Sequence, residues 1–98
     1  MIDPEACQTM TEVRAGVDAL DEQIVTLLGR RMRFMEAAAR IKERREDVRD
    51  NVRKAAVIAH AREVAAQVGF PPELVASIYE LLVEGSIAYE YDRFDERR

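Results

Sequence analysis

One stretch of the sequence, residues 10–42, constrains the fold more than any other. Apolar residues recur along it at alternating spacings of three and four, which is typical of a helix with a buried seam. Counted from the first core position, the seam is Val13, Val17, Leu20, Ile24, Leu27, Arg31, Phe34, Ala38 and Ile41. All of these residues are apolar except Arg31. Burying an arginine is costly unless an anionic group contacts it, so the seam predicts an anion near Arg31.

The length of this first helix predicts that a second chain covers it. At ~1.5 Å per residue the helix would be about 50 Å long. A compact chain of this size has a radius of gyration of about 13 Å. Further apolar residues flank the seam, so the helix is expected to contact several other helices. These flanking residues are Val25, Leu28, Met32, Met35 and Ala39. We therefore expect a homodimer.

Local signals mark where this helix begins and ends. Thr9 and Glu12 have the spacing of a capping box, in which each side chain binds the backbone amide of the other residue. Residues 43–50 are almost all charged, and they are the expected break in helicity. The first helix is therefore predicted to run from about residue 10 to about residue 42.

The remainder of the chain predicts two shorter helices. Asp50 or Asn51 is expected to cap a second helix over about residues 51–68. Gly69 is a natural C-terminal stop, and the two prolines after it fix the following turn. A third helix is predicted from about residue 72 to residue 94, and the charged tail from Asp92 to Arg98 is expected to fray.

The overall composition limits the class of protein. No strand pattern, repeat or linker is visible, so residues 1–98 are predicted to form a single all-α domain of three helices. The net charge of −4 argues against a general nucleic-acid binder. Cys7 is the single cysteine and cannot form an internal disulfide, so a reduced, cytoplasmic compartment is expected. Neither a signal peptide nor a membrane-spanning run of ~20 apolar residues is expected from the sequence.

Three polar residues besides Arg31 stand among apolar ones. Lys42 follows Arg31 by eleven residues, which is three helical turns and ~20° from the same face, so both charged ends can meet one small anion. Ser86 and Glu90 are four residues apart and therefore share one face of the third helix.

Each of these residues also has a purely structural interpretation. Arg31 can pair with a buried carboxylate such as Glu90. Lys42 can be a cation at the end of a helix, where the helix dipole favours it. Ser86 can donate to a carbonyl of its own helix. The pattern alone leaves both interpretations open, and Arg31 fits the structural one least well.

The sequence lacks the parts of several common kinds of catalysis. His60 is the only histidine, and no second metal ligand stands at a suitable spacing from it. Ser86 has no histidine near it, and no glycine-rich phosphate loop is present. Nucleophilic catalysis, metal-dependent hydrolysis and nucleotide binding are therefore disfavoured, and neither a metal nor a cofactor is expected.

Charged and apolar residues at long fixed spacings together resemble a known family. Along the first helix these are Val13, Arg14, Asp18, Leu20, Asp21, Ile24, Leu27, Leu28, Arg30, Arg31, Met32, Ile41 and Lys42. A second cluster comprises Val48, Arg49, Asp50 and Arg53, and a third comprises Ser86 and Glu90. Over nearly its whole length the chain resembles the all-helical chorismate mutases and their relatives, the isochorismate-pyruvate lyases.

The resemblance implies an intertwined homodimer of three-helix protomers with two equivalent active sites. Arg14 lies 17 residues before Arg31, so the two are ~25 Å apart along the helix and cannot easily reach one small ligand from the same chain. In the family the arginine that matches Arg14 is supplied by the other protomer. The implied reaction is the pericyclic rearrangement of chorismate to prephenate, a step of aromatic amino acid biosynthesis. It needs neither a cofactor nor a covalent intermediate.

The resemblance also implies a role for each site residue. Arg14 and Arg31 would bind the substrate carboxylates in fork geometry, and Lys42 would donate to the ether oxygen and to a carboxylate. These charges would stabilise the developing negative charge of the transition state. The backbone amide of Asp50 would contact the ring hydroxyl, and Arg53 would add positive charge at the rim.

The third helix supplies the remaining implied contacts and includes one departure from the family pattern. The Ser86 hydroxyl would contact a carboxylate of the substrate. Glu90 stands where many family members have glutamine as a second donor to the ether oxygen. Only the protonated acid can donate, so we predict that activity falls as the pH rises through the range in which Glu90 loses its proton.

A second departure is Lys54, where chorismate mutases of this type often have a glutamate that accepts from the ring hydroxyl. Lys54 is counted among the substrate-binding residues, but its polarity leaves isochorismate-pyruvate lyase, which forms salicylate and pyruvate, as an alternative. Two features favour the mutase: the stretch 48–50 and the residue Ser86. A non-catalytic helical binding module with a decayed pocket is a third possibility. The presence of Arg14, Arg31 and Lys42 argues against such decay.

Overall fold

The computed structural model describes residues 2–98, and they form an all-α structure. A short 3-10 turn, Pro4–Ala6, precedes helix α1, Met10–Ile41. A second 3-10 turn, Arg45–Asp47, separates α1 from helix α2, Asn51–Val68, and helix α3, Pro72–Glu96, follows. No strand occurs among these described residues. The predicted fold class, all-α with a very long first helix, is confirmed.

The helix ends form where the local signals predicted them. The hydroxyl of Thr9 accepts a hydrogen bond from the Glu12 amide at 3.2 Å, and Glu12 Oε1 accepts one from the Thr9 amide at 3.1 Å. Asp50 Oδ1 caps α2 by accepting from the Arg53 amide at 2.9 Å. Gly69 has φ of 79°, the left-handed conformation that glycine adopts without strain, and it ends α2.

The chain contains two compact units, Met1–Arg33 and Phe34–Arg98. The apolar core of the second, C-terminal unit joins one residue near the end of α1, one before α2 and several of α3. Its members are Ala39, Val48, Val83, Ile87 and Phe94, with Val57, Tyr79 and Tyr91 packed against them. Within this unit helix α2 packs against α3, and its buried residues Ala61 and Ala65 are small, which allows close packing.

The predicted fraying of the charged tail is wrong. Helix α3 continues to Glu96, and Phe94 is buried, with 5% of its surface exposed. The Arg98 guanidinium lies 3.7 Å from the centre of the Phe94 ring and donates to the Lys42 carbonyl oxygen at 2.6 Å. Asp95 accepts from Arg45 at 3.0 Å. The charged residues are therefore ordered by partners that are distant in sequence.

The first, N-terminal unit contains the Pro4–Ala6 turn and the greater part of α1. Here the seam of α1 remains open, because Ile24 is 53% exposed and Leu27 is 59% exposed. The turn and the start of α1 enclose an apolar cavity of about 350 Å³, lined in part by Cys7 and Val17. The seam that the sequence predicts to be buried is thus not covered within a single chain.

Candidate active site

A paired lysine and glutamate form the centre of the candidate site in the C-terminal unit. Lys42 follows the last residue of α1, and its amide still donates to the Ala38 carbonyl at 2.9 Å, so its backbone continues the helical pattern. Its Nζ donates to Glu90 Oε2 at 2.8 Å, and at 3.5 Å to the carbonyl oxygen of Val48. The Lys42 side chain is 30% exposed, whereas that of Glu90 is 5% exposed. A buried carboxylate therefore holds an ammonium group that solvent still reaches.

The position of Glu90 follows from the pattern of α3. The helix buries Val83, Ile87 and Phe94, which are three to seven residues from Glu90 and lie on the same side of the helix. A carboxylate among apolar neighbours carries a large desolvation cost, and removal of the Lys42 ammonium that contacts it would leave much of that cost uncompensated. Lys42 offsets the cost, so both residues gain from the contact.

Ser86 lies one helical turn before Glu90 and is 2% exposed. Its hydroxyl donates to the Leu82 carbonyl oxygen at 2.7 Å, four residues earlier. The structural interpretation of Ser86 is therefore confirmed, since a buried hydroxyl needs such a partner. Donation to a ligand carboxylate requires the hydroxyl to rotate away from this carbonyl.

The start of α2 holds three of the predicted substrate-binding residues. The Asp50 side chain is occupied in capping the helix, and Arg53 is exposed to solvent. Lys54 is only partly exposed, and its Nζ donates to Glu80 Oε1 at 2.6 Å and to Glu84 Oε2 at 2.8 Å. These contacts fix the Lys54 ammonium against α3.

Sequence reasoning missed Glu80 and Glu84 as the acids that bind Lys54. Arg49 donates to both Glu84 oxygens, at 2.7 and 3.1 Å. This bidentate contact, together with Lys54, lowers the pKa of Glu84 to about 2. The pKa of Lys54 is raised, chiefly by its hydrogen bond to Glu80 and then by the one to Glu84. The four-residue spacing of the two acids on α3 was the available signal, because it places both on one face.

The two remaining predicted residues, Arg14 and Arg31, belong to the N-terminal unit. Arg14 is exposed on α1, and Arg31 is partly exposed. Within the C-terminal unit the structure brings Lys42 to Glu90 and joins the start of α2 to the acids of α3. The predicted roles of Arg14 and Arg31 remain predictions.

Two further properties describe residues 2–98. They contain no group of three or more His, Cys, Asp or Glu side chains placed to hold a metal ion. None of their helices is long and apolar enough to cross a membrane.

Comparison with known proteins shows the family of the chain. Residues 13–91 match the family described as chorismate mutase type II. The chain is also 28% identical over 95 residues to the isochorismate pyruvate lyase of Pseudomonas aeruginosa, an alignment that covers 97% of this chain and 94% of that protein. The all-α fold and the matched region define an enzyme class that acts on chorismate-like substrates. The chain belongs to the chorismate mutase type II family, as the resemblance predicted.

Proposed function

We propose that this protein is a chorismate mutase, which rearranges chorismate to prephenate without a covalent intermediate. The observation that carries the proposal is the Lys42–Glu90 pair at 2.8 Å in a member of this family. A buried carboxylate fixes a partly exposed ammonium group before any ligand binds. A preorganised donor of this kind stabilises charge that develops on the ether oxygen at little reorganisation cost.

The two arginines of α1 are proposed to bind the substrate carboxylates. Arg31 would act with Lys42 of the same chain, and Arg14 would be supplied by the second protomer of a homodimer. Support for a dimer comes from the apolar seam of α1, since Ile24 and Leu27 are more than half exposed in the single chain. The family match includes residues of both units, which supports treating residues 1–98 as one functional domain.

Four further residues complete the proposed site. Asp50 would offer its backbone amide to the ring hydroxyl, and Arg53 would add positive charge at the rim. Ser86 would contact a carboxylate after its hydroxyl leaves the Leu82 carbonyl. Lys54 would lie beside Arg53, with its ammonium already bound by acids of α3. A cytoplasmic location is proposed from the free thiol of Cys7.

The dimer and the exchange of Arg14 can be tested together. Arg14→Ala and Arg31→Ala should each abolish activity, because each removes a carboxylate contact from every site. Equal amounts of the two variants, unfolded and refolded together, should regain about a quarter of wild-type activity, since half the dimers are mixed and each has one intact site. No recovery, with mixed dimers demonstrated by mass spectrometry, would show that Arg14 acts within its own chain.

In the free protein the Glu90 carboxylate pairs with the Lys42 ammonium. Glu90 is proposed to bind a proton in the complex with substrate and then to donate to the ether oxygen. Activity should then fall as the pH rises, because deprotonation removes the donor. A glutamine at this position donates at every pH, so the kcat/KM of Glu90→Gln should be flat from pH 5 to 8 while that of the wild type declines. Equally flat profiles for both proteins would show that Glu90 is not this donor.

Isochorismate-pyruvate lyase is the second candidate function. The relative of that name and the basic residue Lys54 favour it. Separate incubation with chorismate and isochorismate, followed by detection of prephenate, salicylate and pyruvate, distinguishes the two. Prephenate formed at the higher kcat/KM supports the mutase, and salicylate with pyruvate at the higher value supports the lyase. Turnover of neither substrate would favour a non-catalytic binding module.

A further inference from the structure

One carboxylate of α3, that of Glu84, binds residues on both sides of the segment 50–53, where α2 begins. Glu84 accepts from both terminal nitrogens of Arg49, which precedes the helix, at 2.7 and 3.1 Å. The same Glu84 accepts from Lys54 Nζ at 2.8 Å. The residues between these two contacts, 50–53, include Asp50 and Arg53. Glu84 therefore brackets the segment that carries two of the proposed substrate-binding residues.

We propose that Glu84 is a positioning residue, which holds residues 50–53 in the conformation that binds the substrate. Glu84 thereby sets the affinity of the protein for the substrate without contacting the substrate. The inference rests on the proposed function, because the ligand is the same ring-bearing dicarboxylate. It adds a residue that the sequence pattern did not mark as part of the site.

The local contacts explain how one carboxylate can fix this segment. Arg49 also donates to the side-chain oxygen of Asn51 at 3.2 Å, which links the Arg49–Glu84 contact to the first residue of α2. Asp50 accepts from the Arg53 amide through its side chain and from the Lys54 amide through its carbonyl, both at 2.9 Å. The backbone amides of the segment are thus held between two anchored ends. A bidentate network of this kind is stiffer than an isolated surface ion pair.

The same contacts define what Lys54 does. Its ammonium is bound by Glu80 and Glu84, and a substrate carboxylate approaching it would meet those two acids as well. Lys54 therefore acts on the site through Glu84. A glutamate at this position would face two like charges, so the lysine on α2 and the acids on α3 form a matched set.

Steady-state kinetics on the more rapidly converted substrate tests the inference, with Glu80→Gln as the matched control. Glu84→Gln loses the contacts to Arg49 and Lys54, so its KM should rise about fivefold while kcat stays within about twofold. Glu80→Gln leaves the Arg49–Glu84 contact and the Lys54–Glu84 contact intact, so its kcat and KM should stay within about twofold of wild type. Arg49→Gln should reproduce the effect of Glu84→Gln, and the double variant should add little to it.

Amide hydrogen exchange of the free protein gives a readout that does not depend on turnover. The amides of Arg53 and Lys54 should exchange about fivefold faster in Glu84→Gln, and at the wild-type rate in Glu80→Gln. Wild-type KM and exchange in Glu84→Gln would overturn the inference and leave the proposed function standing. A fall in kcat at constant KM, or equal effects of both glutamine variants, would also overturn it. If the wild type converts neither substrate, the proposed function fails, and the proposed effect of Glu84 on substrate affinity fails with it. The exchange data would still show whether Glu84 holds residues 50–53 in place.

Discussion

The two units of the chain differ in whether apolar residues form a buried core. In the N-terminal unit, apolar residues of the α1 seam such as Ile24 are more than half exposed. In the C-terminal unit some apolar residues form a buried core, whereas others such as Leu81 are exposed. Its charged residues are joined in pairs such as Lys42–Glu90 and Arg49–Glu84. Apolar exposure favours another apolar surface, whereas prearranged charges favour a small charged ligand. We therefore propose that the N-terminal unit serves chiefly association and that the C-terminal unit serves chiefly chemistry.

Within the C-terminal unit, the largest effect is expected from removing its central cation. Lys42→Met should lower kcat/KM by about 10²–10³, the usual loss for a donor to developing negative charge. It should also lower the free energy of unfolding by about 2–3 kcal/mol, because Glu90 is left buried without its partner. Adding Glu90→Gln to this variant should restore much of the stability and none of the activity. Activity and stability are measured by kinetics and urea unfolding, and joint recovery of both would contradict the assignment.

The second effect concerns the N-terminal unit. Ile24→Lys places a charge in the exposed apolar seam and should convert the proposed dimer to a monomer. Activity should then fall by about a hundredfold or more, since a monomer cannot exchange Arg14. Gln23→Lys, which adds the same charge one residue away on a different helix face, is the control and should remain a dimer. Sedimentation equilibrium decides the outcome, and a dimeric, fully active Ile24→Lys would remove the distinction between the units.

A smaller effect should appear in acid. The pKa of Glu84 is lowered to about 2 from its ordinary value of 4.5, mainly by Arg49. Its folded pKa lies below its unfolded one, so its contribution is present above pH 4.5 and is lost as the pH falls towards 2. Between pH 5 and 3 the Tm should fall further in the wild type than in Glu84→Gln. Parallel curves for the two proteins would show that this network adds nothing to the C-terminal unit.

The smallest effect is expected at the end of α3. Arg98 donates to the Lys42 carbonyl and lies over the Phe94 ring. Removing both contacts by Arg98→Ala should cost about 1 kcal/mol, as expected for a helix-end contact and a cation–π contact. Arg97→Ala is the control, because it removes the same charge and leaves both Arg98 contacts in place. Thermal unfolding measures the difference, and equal Tm values for the two variants would show that the tail contacts do not stabilise the unit.

Features that depend on neighbouring residues could be predicted from the sequence. The Thr9–Glu12 capping box, the Asp50 cap and the Gly69 stop each involve residues a few positions apart, and all three formed as expected. Lys42 and Glu90 were also marked correctly as unusual, because each interrupts an apolar pattern. Their meeting required only that the end of α1 and the last turns of α3 come together.

Features that depend on the register between helices could not be predicted in this way. Arg49 and Glu84 are 35 residues apart, and many acids and bases on α2 and α3 could have paired instead. The tail was predicted to fray because its charges suggested contact with solvent. In the structure Arg98 binds the Lys42 carbonyl and Asp95 binds Arg45, and both partners lie far away in sequence. The roles of Arg14 and Arg31 depend on a second chain and therefore stay predictions.

The 48-residue separation of Lys42 and Glu90 has a consequence for how the protein folds. Contacts between residues so far apart require closure of a long loop, which a chain reaches more slowly than the local turns of its helices. The proposed catalytic donor would then be assembled late, after α2 and α3 have formed. A substitution such as Lys42→Met should consequently leave the folding rate almost unchanged and accelerate unfolding.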